Sequence, residues 1–516
     1  MSRFDGAHVR PEAAVFASGV ASMGVEILAG RMVAPVFGSS VFTWGSIIGV
    51  FLAALSLGYA LGGRYAREYA SNEALAILAS MSAVSVAIVA IGGDPVIAAF
   101  SGLGIPARYA SILPVTVLFG PMTFLLGVIS PFAAEQSKAS SHGSASGRVY
   151  AVGTIGSIVG AFGATFVLIP AFPVGEVALI LGVPLVAVGI WLGDWSSGSA
   201  GAVTLAVLAI GVAGVVVLAT PAFAGGGTIY ESQTSYSDLR VTEGNGIRTM
   251  YIGGAPQSAT YIDGREDYVF DYAPYMHIPM LMQEDVERVL FIGGGGFTGP
   301  QRYVREYPNV TVDAVEIDPE VVDVAQRYFG LQESPRLRVH VEDGRQFLRQ
   351  TNHTYDVIVL DAFKTDQVPF HLTTREFMEL SRSKLDDDGV LMANIISARS
   401  GEGSAFYRAM VKTMADTYPN TYSFPTSSTS ALQNIELVAT KRQEGFTEAD
   451  LQARNDRLDI GVELSDELRS YRRARNVPVS DVPLLTDDYA PVDALLDEQV
   501  NKRYVVTGWN ESRAAG

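Results

Sequence analysis

The hydrophobic pattern divides this 516-residue chain into two halves. Before Gly226, long apolar stretches recur, and seven of them reach the roughly 20 residues that a helix needs to cross a bilayer. From Gly227 onward, the apolar density drops and short alternating stretches take over. The pattern predicts an α-helical membrane bundle (residues 1–222) of about seven spans, followed by a soluble half. The predicted spans lie near residues 12–35, 41–63, 73–93, 110–134, 149–171, 175–193 and 200–220.

The distribution of basic residues predicts the orientation of the membrane half. They lie before the first predicted span, after the second and after the fourth, whereas the alternate loops hold only Arg108. Because basic loops stay in the cytoplasm, the N-terminus is predicted to be cytoplasmic. Seven spans would place the soluble half outside the cell. The alternative is that the number of spans is wrong by one, and the stretch 94–109 is where the count is doubtful. The basic residues concerned are Arg3, Arg10, Arg64, Arg67, Lys138 and Arg148.

Two details of the membrane half carry further expectations. Glu26 lies in the middle of the first predicted span, where a carboxylate is costly, so it is a candidate for transport or a substrate channel. The alternative is that the helix bundle itself satisfies Glu26. The stretch GTIGSIVGAFGA (153–164) repeats small residues at helical spacing, which predicts close packing between helices.

Shorter patterns predict the elements of the soluble half. Residues 227–280 are predicted to form a small antiparallel β-domain, with a hairpin turn at 244–246 and a connecting helix over 265–282. Residues 281–500 alternate apolar strands with helices, which predicts an α/β, Rossmann-like domain with a mostly parallel sheet. A tail, 501–516, carries no readable signal. The predicted strands are 287–293, 311–317, 336–342, 355–361, 389–396 and 435–440, and the predicted helices are 299–307, 319–329, 344–350, 373–385 and 404–417.

A glycine-rich turn opens the α/β domain. The apolar run VLFIG (289–293) leads into four consecutive glycines, Gly293 to Gly296, and a later apolar run ends on Glu316 and Asp318. This order of strand, glycine turn, helix, strand and acid is typical of nucleoside-binding sheets. Glycines let the backbone approach the ligand, and an acid at the next strand end can hold both hydroxyls of a ribose.

Further acids are predicted to lie at the same edge of the sheet. Asp343 follows a strand, where its carboxylate could accept from an adenine amino group. Asp361 ends the buried strand TYDVIVLD, and Asp366 lies in the loop that follows. A carboxylate there could take a proton from an attacking amine. The alternative for each acid is a helix N-cap, although acids at three successive strand ends favour a binding site.

Composition narrows the kinds of site that are expected. The first 226 residues hold eight Lys or Arg and nine Asp or Glu, so the net charge of −17 falls almost entirely on the soluble half. An acidic half argues against nucleic-acid binding and suggests a halophilic protein that stays soluble at high salt. The chain has no Cys, and its six scattered His show no metal-ligand spacing, so no metal site is predicted.

Several motifs together resemble a known family. The order GGGG (293–296), EID (316–318), EDG (342–344) and LDAFKTD (360–366), preceded by GAPQ (254–257), is similar to that of the spermidine synthases, which are polyamine aminopropyltransferases with a methyltransferase-like fold. The membrane half also resembles the membrane-fused branch of that family. The motifs that carry this second resemblance are ILAGRMVAPVFGSS (27–40), GRVYAVGTIGSIVGAFGATFVLIPAF (147–172) and LTDDYAPVD (485–493).

The resemblance implies roles for individual residues. It implies that Glu316 holds the ribose, that Asp343 with Gly344 holds the adenine, and that Asp361 is the base that activates the amine, with Asp366 in the same loop. It implies no metal, a small amine as the acceptor and, because spermidine synthases commonly dimerise, a homodimer. The remaining nucleoside contacts are implied for Gln257, Gly293, Gly294 and Gly295.

The chain also departs from the family pattern where the amine is expected. Family members carry Asp at the position of Gly296, and Tyr-Gln where this chain has Tyr236-Ser237. Asp271 and Ala273 stand at positions that the family fills with Tyr and Glu. The nucleoside pocket is therefore expected to be kept and the diamine pocket rebuilt, since a charged amine leaves water only when it is paired.

Three functional hypotheses remain open on the sequence alone. The first is a membrane-anchored aminopropyltransferase that uses decarboxylated S-adenosylmethionine. The second is a methyltransferase that uses S-adenosylmethionine itself, which the missing Asp at Gly296 favours. The third is a polyamine or nucleoside transporter or sensor without turnover, for which Glu26 and the spans are the reason. Each places the protein in the cell membrane. A nucleoside, abundant only inside cells, conflicts with the outward side that seven spans imply, so the sequence leaves the side of the soluble half open.

Overall fold

In a computed structural model, the chain forms two units that divide between Ala224 and Gly225. The first is helical and apolar, and the second contains all the strands of the described residues. The structure describes residues 9–37, 40–101, 103, 105, 107–137, 142–193, 227–234, 236–364, 368–458, 460–496 and 499.

Six described helices of the first unit are long and apolar enough to cross a membrane, which suggests a membrane protein. They fit the first six predicted spans, and no separate span arises in the described part of 94–109 because the third helix continues to Ser101. The seventh predicted span, 200–220, lies outside the described residues. The helices are Val9–Phe37, Val41–Tyr69, Asn72–Ser101, Ile112–Gln136, His142–Gly163 and Val174–Leu192, with short helical segments at Ala107–Ala110, Ala164–Leu168 and Ile169–Ala171.

Small residues bring two of these helices into close contact, as the stretch 153–164 predicts. A Cβ atom added at Gly156 would overlap the carbonyl oxygen of Phe16, and one at Gly160 would overlap that of Val20. The helix His142–Gly163 therefore lies backbone to backbone against the first helix. Glu26 is half-buried on that first helix, and its functional role remains a prediction.

The second unit begins with a four-stranded antiparallel sheet in the order β1-β2-β3-β4. The predicted hairpin turn is present, because Asn245 and Gly246 adopt positive φ angles of 49° and 78° between β2 and β3. The strands are β1 Thr228–Gln233, β2 Asp238–Gly244, β3 Ile247–Ile252 and β4 Ala255–Tyr261.

The predicted connecting helix over 265–282 is wrong for most of its length. The structure has only a 3₁₀ helix, Ala273–His277, and one turn of α-helix, Pro279–Met282. Pro274 and Pro279 each lack an N–H donor, which removes a helical hydrogen bond and disfavours a helix that continues from before either proline. Each proline lies instead in the first turn of its own short helix.

The remaining strands form one eight-stranded sheet in the order β12-β10-β11-β9-β8-β5-β6-β7. The strands β9, β8, β5, β6 and β7 run parallel, as predicted, whereas β11, β10 and β12 pair antiparallel. Strands β10 and β12 were not among the predicted strands. The bounds are β5 Arg288–Ile292, β6 Thr311–Glu316, β7 Leu337–Val341, β8 Tyr355–Leu360, β9 Leu385–Ser397, β10 Asn420–Pro425, β11 Gln433–Thr440 and β12 Arg472–Arg473.

Helices cover both faces of this sheet, and each face has its own apolar core. Alternate residues of β8, β9 and β11 face opposite cores, so these central strands are buried on both sides. The helices are Thr298–Glu306, Pro319–Tyr328, Gly344–Gln350, Arg375–Lys384, Ala405–Thr417, Glu448–Arg457, Ser465–Leu468 and Val492–Leu496, with 3₁₀ turns at Phe370–Leu372 and Ala474–Asn476.

The C-terminal motif LTDDYAPVD (485–493) packs against the α/β domain. Asp487 accepts hydrogen bonds from both terminal nitrogens of Arg345, at 2.8 and 2.6 Å, and from the Thr374 hydroxyl at 2.7 Å. Because Arg345 is buried, the carboxylate neutralises a cation that would otherwise lie unpaired in the interior. The motif therefore closes the domain over the first turn of the helix Arg375–Lys384.

Candidate nucleoside-binding and active site

The sheet order brings the predicted site residues to one edge. Strands β8, β5, β6 and β7 are parallel neighbours, so their carboxyl ends meet along the same side of the sheet. Asp361 follows β8, Gly293 follows β5, Glu316 ends β6, and Asp343 lies shortly after β7. The acids and the glycine turn thus form a row across four strands, which is where open α/β sheets bind ligands.

The turn after β5 requires glycine for steric reasons. Gly293 has a φ of 100°, and a Cβ atom there would overlap the carbonyl oxygen of Asp361. Its N–H donates to the Val315 carbonyl oxygen at 2.9 Å, which anchors the turn between β6 and β8. Gly295 also has a positive φ, of 49°. The close approach of Gly293 to Asp361 keeps the glycine turn and the candidate base side by side.

Glu316 supports the glycine turn from the next strand. Its two carboxylate oxygens accept from the Gly294 N–H at 2.9 Å and from the Asp318 N–H at 3.0 Å. Burial raises the pKa of Glu316, and these backbone hydrogen bonds lower it again. Glu316 thus ends β6 beside the glycine turn, and its role as a ribose-binding acid stays a prediction. Asp318 instead caps the following helix through the Glu320 N–H, at 3.0 Å.

Asp343 and Gly344 lie beyond β7. One Asp343 oxygen caps the helix Gly344–Gln350 by accepting from the Gln346 N–H at 2.9 Å, so the N-cap alternative holds for this oxygen. The other oxygen lies 3.0 Å from Nε2 of His371. A Cβ atom at Gly344 would overlap the Ile292 side chain, so glycine lets this helix start close against β5.

Asp361 is the candidate base, and it directly follows β8. It lies at the end of a strand that is buried throughout, and its Oδ1 accepts from the Asn394 side-chain amide at 2.9 Å. Burial raises the pKa of Asp361, and the hydrogen bond from Asn394 lowers it. The carboxylate is therefore held in one orientation and is a stronger base than an exposed aspartate. Asp366 lies outside the described residues.

Strand β4 of the small sheet contacts the glycine turn. Ser258 accepts from the Gly296 N–H at 2.8 Å, and its neighbour Gln257 is half-buried on β4. A Cβ atom at Gly296 would lie 2.8 Å from that of Ser258 and 3.1 Å from the Phe329 ring. An aspartate at this position would not fit without displacing Ser258. The packing around Gly296 therefore matches the glycine that this chain has in place of the aspartate of the family pattern.

Three residues of this site were missed by the sequence analysis. Asn394 donates a hydrogen bond to Asp361, and Ser258 accepts one from the glycine turn. Glu436 lies buried on β11, where burial and, to a smaller extent, the Asp361 charge raise its pKa. Asn394 and Glu436 are polar residues inside strongly apolar strands, and that mismatch was the available signal. Among the described residues, no group of three or more His, Asp or Glu side chains is arranged to hold a metal ion.

The fold is that of an α/β domain of the methyltransferase-like class, with a row of acids and a glycine turn at one edge of its sheet. The family model described as "Spermine/spermidine synthase domain" matches residues 273–431. A polyamine aminopropyltransferase of Thermococcus onnurineus is 30% identical over 233 residues, which cover 43% of this chain and 79% of the relative. The chain therefore belongs to the polyamine aminopropyltransferase family, a family of transferases.

Other relatives match over shorter shares of their length. The polyamine aminopropyltransferase of Vibrio vulnificus is 35% identical over 194 residues, 35% of this chain and 64% of the relative. A probable polyamine aminopropyl transferase of Bifidobacterium longum is 30% identical over 282 residues, 52% of this chain and 61% of the relative. The chain thus spans less than two thirds of these two proteins. A solved structure of a probable spermidine synthase from Corynebacterium glutamicum aligns with 51% of this chain and 96% of its own, at 21% identity and a TM-score of 0.42.

Proposed function

We propose that this protein is a membrane-anchored aminopropyltransferase that uses decarboxylated S-adenosylmethionine and an amine acceptor. The observation that supports this most is the position of Asp361, held by Asn394 directly beside the glycine turn. A base at that point lies next to the nucleoside while it faces the acceptor. Membership of the family gives the reaction class.

The chemistry follows from the groups at the sheet edge. The acceptor nitrogen attacks the propyl carbon next to the sulfonium, and the carbon–sulfur bond breaks with its electrons going to sulfur. Methylthioadenosine leaves, and the proton of the amine passes to Asp361. Glu316 would hold the ribose, Asp343 with Gly344 would hold the adenine, and Gln257 with Gly293, Gly294 and Gly295 would line the rest of the nucleoside.

A homodimer and a halophilic habitat also remain proposals. The first rests on the resemblance to the spermidine synthases, and the second rests on the acidic charge of the soluble half.

Product analysis on the purified, detergent-solubilised protein tests this function. The protein would receive decarboxylated S-adenosylmethionine or S-adenosylmethionine with a panel of amines, and the released nucleoside would be identified. We expect methylthioadenosine from the wild type and a loss of at least about a hundredfold in rate for Asp361→Asn, with nucleoside affinity retained. Asp387→Asn, at an exposed position of β9, is the matched control and should keep the wild-type rate.

A second candidate function is methyl transfer from S-adenosylmethionine. It is favoured by Gly296, where Ser258 occupies the space that an aspartate for the aminopropyl group would need. Release of S-adenosylhomocysteine in the same assay would select this function. If the wild type binds the nucleoside and releases neither product, a transporter or sensor, to which Glu26 would contribute, replaces both enzymes.

A further inference from the structure

His371 is a polar residue at the edge of the site to which the proposed chemistry assigns no role. It lies in the 3₁₀ turn Phe370–Leu372, beyond the loop that follows Asp361. Its Nε2 lies 3.0 Å from Oδ2 of Asp343, the residue proposed to hold the adenine. Because a carboxylate only accepts hydrogen bonds, Nε2 carries the hydrogen and donates it. His371 thus contacts the Asp343 oxygen that does not cap the following helix.

The backbone of His371 is held from the start of the same helix. Arg345, in the first turn of the helix Gly344–Gln350, donates from one terminal nitrogen to the carbonyl oxygen of His371 at 3.0 Å. The His371 side chain meets Asp343 and its carbonyl oxygen meets Arg345, and these two partners lie only two residues apart. Together the two contacts fix both the position and the direction of the imidazole ring.

The C-terminal motif LTDDYAPVD (485–493) in turn fixes Arg345. Asp487 of this motif accepts from both terminal nitrogens of Arg345, at 2.8 and 2.6 Å, and from the hydroxyl group of Thr374 at 2.7 Å. The hydrogen bonds from Arg345 lower the pKa of Asp487, so this carboxylate stays the charged partner of the buried guanidinium. A continuous chain of contacts therefore runs from Asp487 through Arg345 and His371 to Asp343.

The surface beside this pair is open to a ligand. The side chains of Asp343 and His371 are 28% and 35% exposed. Val341, two residues before Asp343, is 51% exposed, and so is Phe370, whose ring packs edge to face with His371 at a centroid distance of 5.9 Å. Exposed apolar side chains on both sides of an oriented carboxylate suit a planar purine base that carries an amino group.

We infer that Asp487 and Arg345, acting through His371, position Asp343 to accept a hydrogen bond from the 6-amino group of the adenine. This inference rests on the proposed function for the adenine contact of Asp343, and it adds the C-terminal motif to the nucleoside site. With His371 on one side, Oδ2 of Asp343 keeps a lone pair for the amino group. A 6-oxo purine presents an oxygen at the same place, which the carboxylate repels. The three other residues are positioning residues, and they make the site selective for 6-aminopurine nucleosides.

Calorimetry on the full-length protein in detergent tests this positioning without requiring turnover. The probes are methylthioadenosine and methylthioinosine, which has an oxygen in place of the 6-amino group. We expect the wild type to bind methylthioadenosine at least about fiftyfold more tightly than methylthioinosine. In His371→Phe the carboxylate loses the donor that orients it, so the preference should fall below about tenfold, mostly through weaker binding of methylthioadenosine. A general defect of the fold would instead weaken both nucleosides by the same factor.

A conservative variant and a matched control accompany His371→Phe. His371→Gln carries an amide donor near the position of Nε2 and should restore part of the preference. His353→Phe removes an exposed histidine just beyond the other end of the helix Gly344–Gln350 and should keep the full preference. The inference is overturned if the preference survives in His371→Phe, if both nucleosides lose affinity equally, or if His371→Gln restores none of the preference.

A second set of variants tests the C-terminal motif. Asp487→Asn keeps the shape of the side chain without its charge and should lower the preference at least about threefold. The matched control is Asp488→Asn, at the adjacent exposed aspartate, which should keep the full preference. Because Asp487 acts through His371, the double variant should discriminate as well as His371→Phe alone. A full preference in Asp487→Asn, or losses that multiply in the double variant, would overturn the role of the motif.

The proposed function and this inference fail in different ways. If the preference for methylthioadenosine depends on His371 and Asp487 but none is released from decarboxylated S-adenosylmethionine, the positioning stands and aminopropyl transfer does not. If the wild type releases methylthioadenosine while His371→Phe keeps the full preference, aminopropyl transfer stands and the positioning does not. A wild type that binds neither nucleoside would overturn both.

Discussion

At the residue scale, the environment of Asp361 determines when it can act as a base. Burial raises its pKa from the ordinary value of 3.8, and the Asn394 hydrogen bond acts in the opposite direction. The carboxylate accepts a proton only when it is ionised, so activity should be lost as the pH falls through the raised pKa. The acid limb of the pH–rate profile therefore lies above that of an exposed aspartate.

Removing the hydrogen bond to Asp361 should shift that limb. In Asn394→Leu the ionised carboxylate loses a donor, its pKa rises further, and the acid limb of kcat/KM moves to higher pH. The matched control is Asn420→Leu, whose amide donates to the carbonyl oxygens of Arg442 and Gln443. The profiles of all three proteins would be measured under the same conditions. Glu436 interacts with Asp361 in all three proteins, so its charge is common to the three profiles. An acid limb that stays unchanged or moves to lower pH in Asn394→Leu would contradict this account.

At the element scale, the sequence predicts the apolar strands well, and it predicts the polar edge strand and the proline-containing connection less well. Each predicted strand from 287–293 to 435–440 is present, because apolar runs flanked by turn residues have few alternatives. Strand β10, Asn420–Pro425, was missed because polar residues interrupt its sequence, NTYSFP, and a proline ends it, so it lacks the apolar run that marks the predicted strands. The helix predicted over 265–282 failed at its two prolines.

The same limit applies to the site. The glycine turn and Glu316 could be predicted because the turn, helix and acid follow one another along the chain. Glu436 could not, because its proximity to Asp361 depends on the pairing of β8 with β9 and of β9 with β11. A sequence shows that a charged residue interrupts an apolar strand, but only the register shows which residue lies beside it.

Close packing of the membrane helices provides a prediction at this scale. A Cβ atom at Gly58 would overlap the Phe124 carbonyl oxygen, so the helices Val41–Tyr69 and Ile112–Gln136 meet through their backbones. Gly58→Leu should separate the two helices and destabilise the protein by about 1–3 kcal/mol. Thermal unfolding of the detergent-solubilised protein, followed by its midpoint, would measure the effect.

A control on the same helix separates packing from helix propensity. A Cβ atom at Gly49 would meet no atom within 4 Å, so Gly49→Leu gains the same helix propensity without a clash. Its unfolding midpoint should equal or exceed that of the wild type. An equal loss of stability in both variants would show that the contact at Gly58 is not tight.

At the scale of the whole molecule, the open question is the side of the membrane on which the soluble half works. If all six described apolar helices cross the membrane, they return the chain to the side on which it began, and basic residues predict that this side is the cytoplasm. A nucleoside co-substrate is also made inside the cell. We therefore expect the soluble half to be cytoplasmic, which requires an even number of crossings in total.

The absence of cysteine from the sequence makes this expectation directly measurable, since each introduced Cys is the only thiol in the chain. Tyr69→Cys reports the loop after the second helix, Leu103→Cys the loop after the third, and Glu444→Cys the soluble half; all three positions are exposed. With a membrane-impermeant maleimide on intact cells, we expect labelling at position 103 only, and labelling of the other two after lysis. If position 444 reacts in intact cells while position 69 does not, the number of crossings is odd. Asp361 would then work outside the cell, and aminopropyl transfer would require an exported nucleoside.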